Sequence, residues 1–288
     1  MEDYIVGFGD NKVDYYSNFN TKYPGGNAVN FSVAGKKYGL PSYYVGSISC
    51  DDDGELIYSS LEALGVNLSY CERTKDSSEK VFVEIKDGER YFLSSERSIR
   101  RTPDITNELL HLFKKSLLVH TGCHANTEIK LEDISKNNVK ISFDFSDLDK
   151  YRTDDYLELV CPNIYIAQFS VAGNTDSAIE RLVSKCAEFG VKFILLTRGN
   201  MSPIFVDVEN KKEYQGFIRK AQHPKDTMGA GDTYFATFAI SLMKSLKYEK
   251  MSEELVIKCF EEAADNAYDT LYIEGSFGFG KKIVDKVD

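Results

Sequence analysis

Short apolar runs alternate along the chain with stretches in which apolar side chains recur every three or four residues. Tyr4 to Val6, Tyr43 to Ile48, Leu117 to His120, Val139 to Phe145, Ile164 to Ile166 and Phe193 to Leu196 read as buried strands. Between them, Leu56, Ile57, Ser60, Leu61 and Leu64 share one helical face, and Ile179, Leu182, Val183, Cys186 and Ala187 share another. Thr102 and Pro103 supply an N-cap and a first-turn proline ahead of Ile105, Leu109 and Leu112. Further on, Phe235, Phe238, Ala239, Leu242 and Met243 form a helical stripe. Leu255, Val256, Cys259, Phe260, Ala263, Ala264 and Ala267 form the next, opened by Ser252 with Glu253 and Glu254 in its first turn. The alternation predicts an α/β fold, a mostly parallel sheet covered by helices on both faces.

Two segments break the pattern. Lys80 to Lys86, Asp87-Gly88 and Arg90 to Leu93 read as a β-hairpin, because Asp-Gly supplies the positive φ of a tight turn. Val13 to Tyr23, rich in Tyr, Asn and Ser, is extended or looped and leaves the first strand without a crossover helix. Together they make either a small sheet projecting from the body or two surface excursions.

Composition narrows the function. With 35 Lys+Arg against 45 Asp+Glu, the net charge of −10 argues against nucleic acid as a partner, which needs a basic surface. No stretch approaches the roughly 20 apolar residues of a spanning helix, and acid at Glu2 and Asp3 does not suit a signal peptide. Neither a membrane nor a secretory route is expected. Cys50, Cys71, Cys123, Cys161, Cys186 and Cys259 are scattered, which predicts reduced thiols in a cytoplasmic protein. His111, His120, His124 and His223 form no metal or Ser/His/Asp pattern and read as packing or surface residues.

Most of the chemistry lies in Asp226-Thr227-Met228-Gly229-Ala230-Gly231-Asp232-Thr233, directly before the Phe235 helix. Gly229, Ala230 and Gly231 let the backbone approach a ligand, and the first amides of a helix can hold an anion. An acid there can cap the helix. Capping alone leaves the flanking small residues unexplained, whereas a carboxylate beside a phosphate site is suited to take a proton from an attacking hydroxyl. Gly25-Gly26-Asn27-Ala28-Val29-Asn30 opens another helix, with Asn30 presenting a donor and an acceptor suited to sugar hydroxyls. Asp10, Asn11 and Asp14 follow the first strand, where α/β sheets bind ligands. Thr197-Arg198-Gly199 forms a third polar elbow, with Arg198 placed to reach a phosphate or to face solvent. Neither a dinucleotide fingerprint nor a P-loop is present.

With Gly25-Gly26-x-x-x-Asn30 early and Asp226-Thr-x-Gly-Ala-Gly-Asp232 late, the sequence resembles the PfkB, ribokinase-like family of carbohydrate kinases, nearly end to end. Gly-Asp-Asn-x-Val-Asp at 9 to 14, Gly-Gly-Asn-Ala-Val-Asn at 25 to 30 and Phe-Asp-Phe-Ser-Asp at 143 to 147 are similar to its fructoselysine 6-kinase branch. The resemblance implies a single ribokinase-like domain over 1–288, with a small β lid at about 13–23 and 79–94. It implies Asp232 as general base, with Gly229, Ala230 and Gly231 as anion hole. Asp14, Gly25, Gly26 and Asn30, beside Asp10 and Asn11, would hold the sugar or fructosamine. Thr197, Arg198, Gly199 and Asp226 fall on the nucleotide side, with Asn266 bordering the adenine. Mg-ATP is the implied cosubstrate, and a monovalent cation is left open. Asn163 falls at the start of the family's Asn-x-x-Glu segment, with Ile166 at the Glu position. A kinase acting on a plain ketose, ribose or nucleoside, and a non-catalytic sensor of the same fold, are the competing readings. The edge of the lid offers strand pairing for a homodimer.

Overall fold

The computed structural model describes residues 2–86, 89–98 and 102–283. The chain opens with β1 (Ile5–Phe8), the hairpin of β2 (Lys12–Tyr16) and β3 (Thr21–Gly25), and α1 (Asn27–Lys37). Then come β4 (Ser42–Val45), β5 (Ser47–Ser49), α2 (Asp52–Ala63), β6 (Glu72–Thr74), β7 (Lys80–Lys86) and β8 (Glu89–Glu96). The middle holds α3 (Asn107–Lys115), β9 (Leu118–Gly122), α4 (Glu128–Ser135), β10 (Ile141–Asp144), α5 (Asp154–Val160), β11 (Ile166–Ser170) and α6 (Asp176–Glu188). Last are β12 (Phe193–Arg198), β13 (Met201–Asp207), β14 (Lys212–Gln215), α7 (Ala230–Ser245), α8 (Glu253–Thr270) and β15 (Lys281–Lys282).

The expected α/β body is an eight-stranded sheet in the order β14-β13-β12-β11-β10-β9-β1-β4. Strands β4, β1, β9, β10, β11 and β12 run parallel, and β13 and β14 add an antiparallel edge. Both faces are dry. On one, Phe113, Leu131, Leu157 and Leu182 of α3 to α6 pack against Val119, Phe143, Phe169 and Ile194 of the sheet. On the other, Phe31 of α1, Phe235 and Phe238 of α7 and Phe260 of α8 pack against Ile5, Leu118, Ile166 and Leu195. Fully burying a side chain of this size stabilises by about 1.5–3 kcal/mol.

The segments that break the alternation do form a second sheet, of order β15-β3-β2-β7-β8. β2 pairs antiparallel with β3 and parallel with β7, and β7 with β8 is the expected hairpin, whose Asp87-Gly88 turn lies outside the described residues. Its inner face buries Tyr16, Tyr23, Val81, Val83 and Ile85 with Met228. The base of this sheet is tied to the body at α2, where buried Asp53 meets the Lys22 ammonium and accepts from Tyr15 OH at 2.8 Å.

Several boundaries differ from expectation for identifiable reasons. Thr106, not Thr102, caps α3, accepting from the Leu109 amide, while the carbonyls of Thr102 and Pro103 receive Lys130 Nζ. The run Tyr43 to Ile48 is two strands in different sheets. Gly46 divides them, because a Cβ there would lie 2.2 Å from the Tyr44 hydroxyl oxygen. The run Ile164 to Ile166 only begins β11, which continues through Gln168 to Ser170.

Candidate active site

The N-termini of α1 and α7 meet over the carboxyl ends of the parallel strands. Five helices have their first turn closed by a side chain: Asp51 for α2, Thr106 for α3, Thr153 for α5, Thr175 for α6 and Ser252 for α8. No side chain caps α7, whose N-cap is Gly229 at φ +72°. A Cβ at Gly229 would lie 2.6 Å from Ser276 Cβ, so glycine is required there by both conformation and space. Gly231 differs, since its missing Cβ would point into open space. Its uncapped turn is open to an anion, as expected.

Asp232 stands in this first turn. Its Oδ2 accepts from Asn30 Nδ2 at 2.5 Å, and its Oδ1 lies 3.4 Å from Asn27 Nδ2. Burial raises its pKa, against the Asn30 hydrogen bond and the positive charge of Lys12 and Arg90, while Asp10 adds to the rise. Asn30 also donates to Ser276 Oγ at 3.2 Å, and its own Oδ1 is buried without a partner. Asp14, carried in by β2, is buried with Oδ1 likewise unpartnered, and Gly25 leaves room for its other oxygen, which a Cβ would approach to 2.6 Å. Burial raises the Asp14 pKa, opposed by Lys12 and Arg90. Two orphaned acceptors beside a carboxylate are what a polyhydroxylated ligand satisfies, since a buried acceptor without a donor costs about 1–3 kcal/mol.

Asp10 and Asn11 are engaged with the framework. The Asp10 oxygens accept from the amides of Asn27 and Ala28 at 2.8 and 3.0 Å, capping α1 from outside where Gly26, at φ +120°, offers no side chain. Asn11 Nδ2 donates to Tyr44 OH and the Ser47 carbonyl, both at 2.8 Å. Both residues border a small polar cavity of about 40 Å³. These bonds give Asp10 and Asn11 a part in positioning the loop.

Behind Gly231 lies a cavity of about 580 Å³ between β12, α7 and α8. Thr197, Arg198, Gly199, Ala230 and Gly231 line it, as expected of a nucleotide side, with Ala264, Ala267 and Tyr268 along the α8 wall. Asn266 is not on that wall; its amide donates to Thr237 Oγ1 of α7 at 3.3 Å. Asp226 is also turned inward. Its carboxylate accepts from Tyr16 OH at 2.6 Å, the Met228 amide at 2.9 Å and the Gly275 amide at 2.7 Å, and so joins the second sheet to the glycine loop. Asn163 lies before β11, at the opposite end of the strand from the site, with its side chain against Ser135. Ile166 is core. Neither occupies a position from which a Glu would reach a ligand.

Sequence reading missed Asn27, His120 and Asp144. Asn27 Nδ2 donates to Asp144 Oδ2 at 2.7 Å, and Asn27 Oδ1 meets His120 Nε2 at 2.6 Å. The signal was available: Ser142 and Asp144 alternate with apolar Ile141 and Phe143, which marks one face of a buried strand as polar.

Residues 6–253 match the family model described as pfkB family carbohydrate kinase. Fructosamine kinase FrlD of Bacillus subtilis (strain 168) is 29% identical over 287 residues, covering 96% of this chain and 93% of that protein. Fructoselysine 6-kinase of Escherichia coli (strain K12) is 27% identical over 237 residues, covering 81% and 87%. Among solved structures, Arabidopsis thaliana ribokinase complexed with ribose and ATP superposes with a TM-score of 0.77 at 22% identity, covering 96% of both chains. Giardia lamblia ribokinase reaches 0.80 at 17% identity, covering 96% and 95%. At such identities the structural likeness speaks for the fold, and the family model, which spans most of the sequence, carries the assignment: the chain belongs to the pfkB family of carbohydrate kinases.

Proposed function

We propose that the protein transfers the γ-phosphoryl group of ATP to a primary hydroxyl of a sugar, with a fructosamine of the fructoselysine type as acceptor. One observation carries the reading. The Asp232 carboxylate, raised in pKa by burial, stands in the uncapped first turn of α7 between orphaned acceptors on one side and the 580 Å³ cavity on the other. ATP fits that cavity with its terminal phosphate toward Ala230 and Gly231, and Asp14 Oδ1 and Asn30 Oδ1 accept sugar hydroxyls. Asp232 takes the proton as the hydroxyl oxygen bonds to the γ-phosphorus, the bond to the bridging oxygen breaks, and ADP leaves with its electron pair. The amides of the glycine loop hold the phosphoryl oxygens, donors of a kind worth about 2.7–4 kcal/mol each when preorganised. Among the described residues no group of three or more His, Cys, Asp or Glu side chains is placed to hold a metal. Mg²⁺ suits this site as an ion that travels on the phosphates and keeps most of its waters.

The second sheet acts as a lid over the sugar, within one domain spanning 1–288. The unpaired edge of β8 exposes Tyr91, Phe92 and Leu93, which suits strand pairing between two lids in a homodimer. An ATP consumer with six free cysteines belongs in the cytoplasm. No helix among the described residues is long and apolar enough to cross a membrane.

Similarity to a fructosamine kinase and to fructoselysine 6-kinases supports that acceptor class. ADP release from Mg-ATP across fructoselysine, other fructosamines, fructose, ribose and nucleosides tests the reading. Turnover confined to fructosamines supports it, turnover on ribose or nucleosides moves the substrate, and silence across the panel with ATP bound rejects a kinase.

A further inference from the structure

A row of polar side chains lies on the α1/α7 face of the sheet beneath Asp232, where core is otherwise apolar. His120 is buried, stacked on Phe31 at 4.4 Å and against Phe235 at 5.1 Å. Its Nδ1 lies 2.9 Å from Ser142 Oγ and its Nε2 lies 2.6 Å from Asn27 Oδ1. The orientation of the Asn27 amide is dictated by its other end. Turned over, it would present its oxygen to the carboxylates of both Asp144 and Asp232, so its NH₂ group must face them. His120 must then donate from Nε2 and accept from Ser142 at Nδ1, which fixes its tautomer.

We infer that Asn27, locked by His120, is a positioning residue that links Asp144 to Asp232, so that the charge on the base governs when the buried second carboxyl gives up its proton. This rests on the phosphotransfer reading of Asp232. Because Asn30 occupies Oδ2, Oδ1 is the oxygen that receives the hydroxyl proton, and the Asn27 N–H at 3.4 Å holds it in place. The titratable and charged groups facing the pair include Asp10, Lys12, Asp14, Arg90, Cys123, Asp147 and Arg152. Burial, then the charge of Asp232, pushes the Asp144 carboxyl up to about 7, against the Ser146 amide it accepts from. Burial lowers His120 to about 3, which keeps it a neutral donor.

The test is a ¹³C NMR titration of the Asp144 carboxyl in the unsubstituted protein and in Asp232→Asn. Asp232→Asn removes the charge and keeps an amide oxygen to accept from Asn30 Nδ2. The Asp144 midpoint is expected to fall from about 7 by about one pH unit or more. An unmoved midpoint in the folded variant overturns the inference. The titration does not need turnover: a shifted midpoint in a protein that phosphorylates nothing would retire the kinase reading and keep the coupling. His120→Gln, which retains an N–H toward Asn27, should hold kcat, and His120→Leu should lower it about tenfold at unchanged KM. Equal losses in the two variants would also overturn the proposal.

Discussion

Asp144 carries a consequence for stability as well as for catalysis. Its folded-state pKa of about 7 exceeds the ordinary 3.8, so the native state binds a proton that the unfolded chain releases across that interval. Its contribution is therefore fully present below the unfolded pKa and is lost as pH rises through about 7. Asp14 and Asp232 are raised too and act in the same direction. Urea denaturation between pH 5 and 8 should show stability declining toward pH 8, with a shallower decline in Asp144→Asn; equal slopes would count against a buried, raised Asp144. At this scale the sequence was legible where a motif fixes backbone geometry. The glycine loop that opens α7 with Asp232 in its first turn was foreseen, and Asp14 and Asn30 were named as candidates, but their unpartnered oxygens were not. It was illegible where a carboxylate or amide chooses among partners: Asp10, Asn11, Asp226 and Asn266 turn to framework amides and hydroxyls that lie far off in sequence.

Among elements, strand β2 contacts the glycine loop and so joins the second sheet to the site. Tyr16 OH reaches Asp226 Oδ2 at 2.6 Å, the same oxygen that takes the Gly275 amide. In the proposed lid role, movement of this sheet would be felt at the turn that precedes Gly229. Tyr16→Phe removes one hydrogen bond to a charged group, worth about 1.5–3 kcal/mol. The expected result is ADP release without sugar that rises relative to sugar phosphorylation, with kcat for the sugar reduced. An unchanged ratio would show that the lid and the loop act independently. Helical stripes at 179–187 and 255–267 were readable because each helix buries one side, whereas the helix that carries 235–243 packs on the sheet, α1 and α8 together. The edge strands β13 and β14 were not. Their apolar positions cover only the sheet margin, and Pro203 within β13 argues against an interior strand.

Across the whole molecule, division of labour follows from the two sheets. The parallel sheet holds the ends of α1 and α7 in a fixed relation, since both helices bury Phe31, Phe235 and Phe238 against it. The five-stranded sheet brings Lys12, Asp14 and Arg90 toward the same point from the other side. Closure of such a lid excludes water from the reacting phosphate and limits hydrolysis. The overall architecture was legible from the alternation of strands and helices, while the joining of β2, β3, β7, β8 and β15 into one sheet depends on pairings across more than 250 residues between Thr21 and Lys282 that no local pattern encodes.

The central claim is that Asp232 removes the proton from the acceptor hydroxyl during phosphoryl transfer. The direct measurement is phosphorylation of the best acceptor by Asp232→Asn, made beside calorimetric titration of the variant with Mg-ATP. The account predicts ATP affinity within about threefold of the unsubstituted protein, with turnover down by about 10²–10⁴-fold, the usual contribution of a general base. Full turnover in a folded Asp232→Asn protein would contradict it.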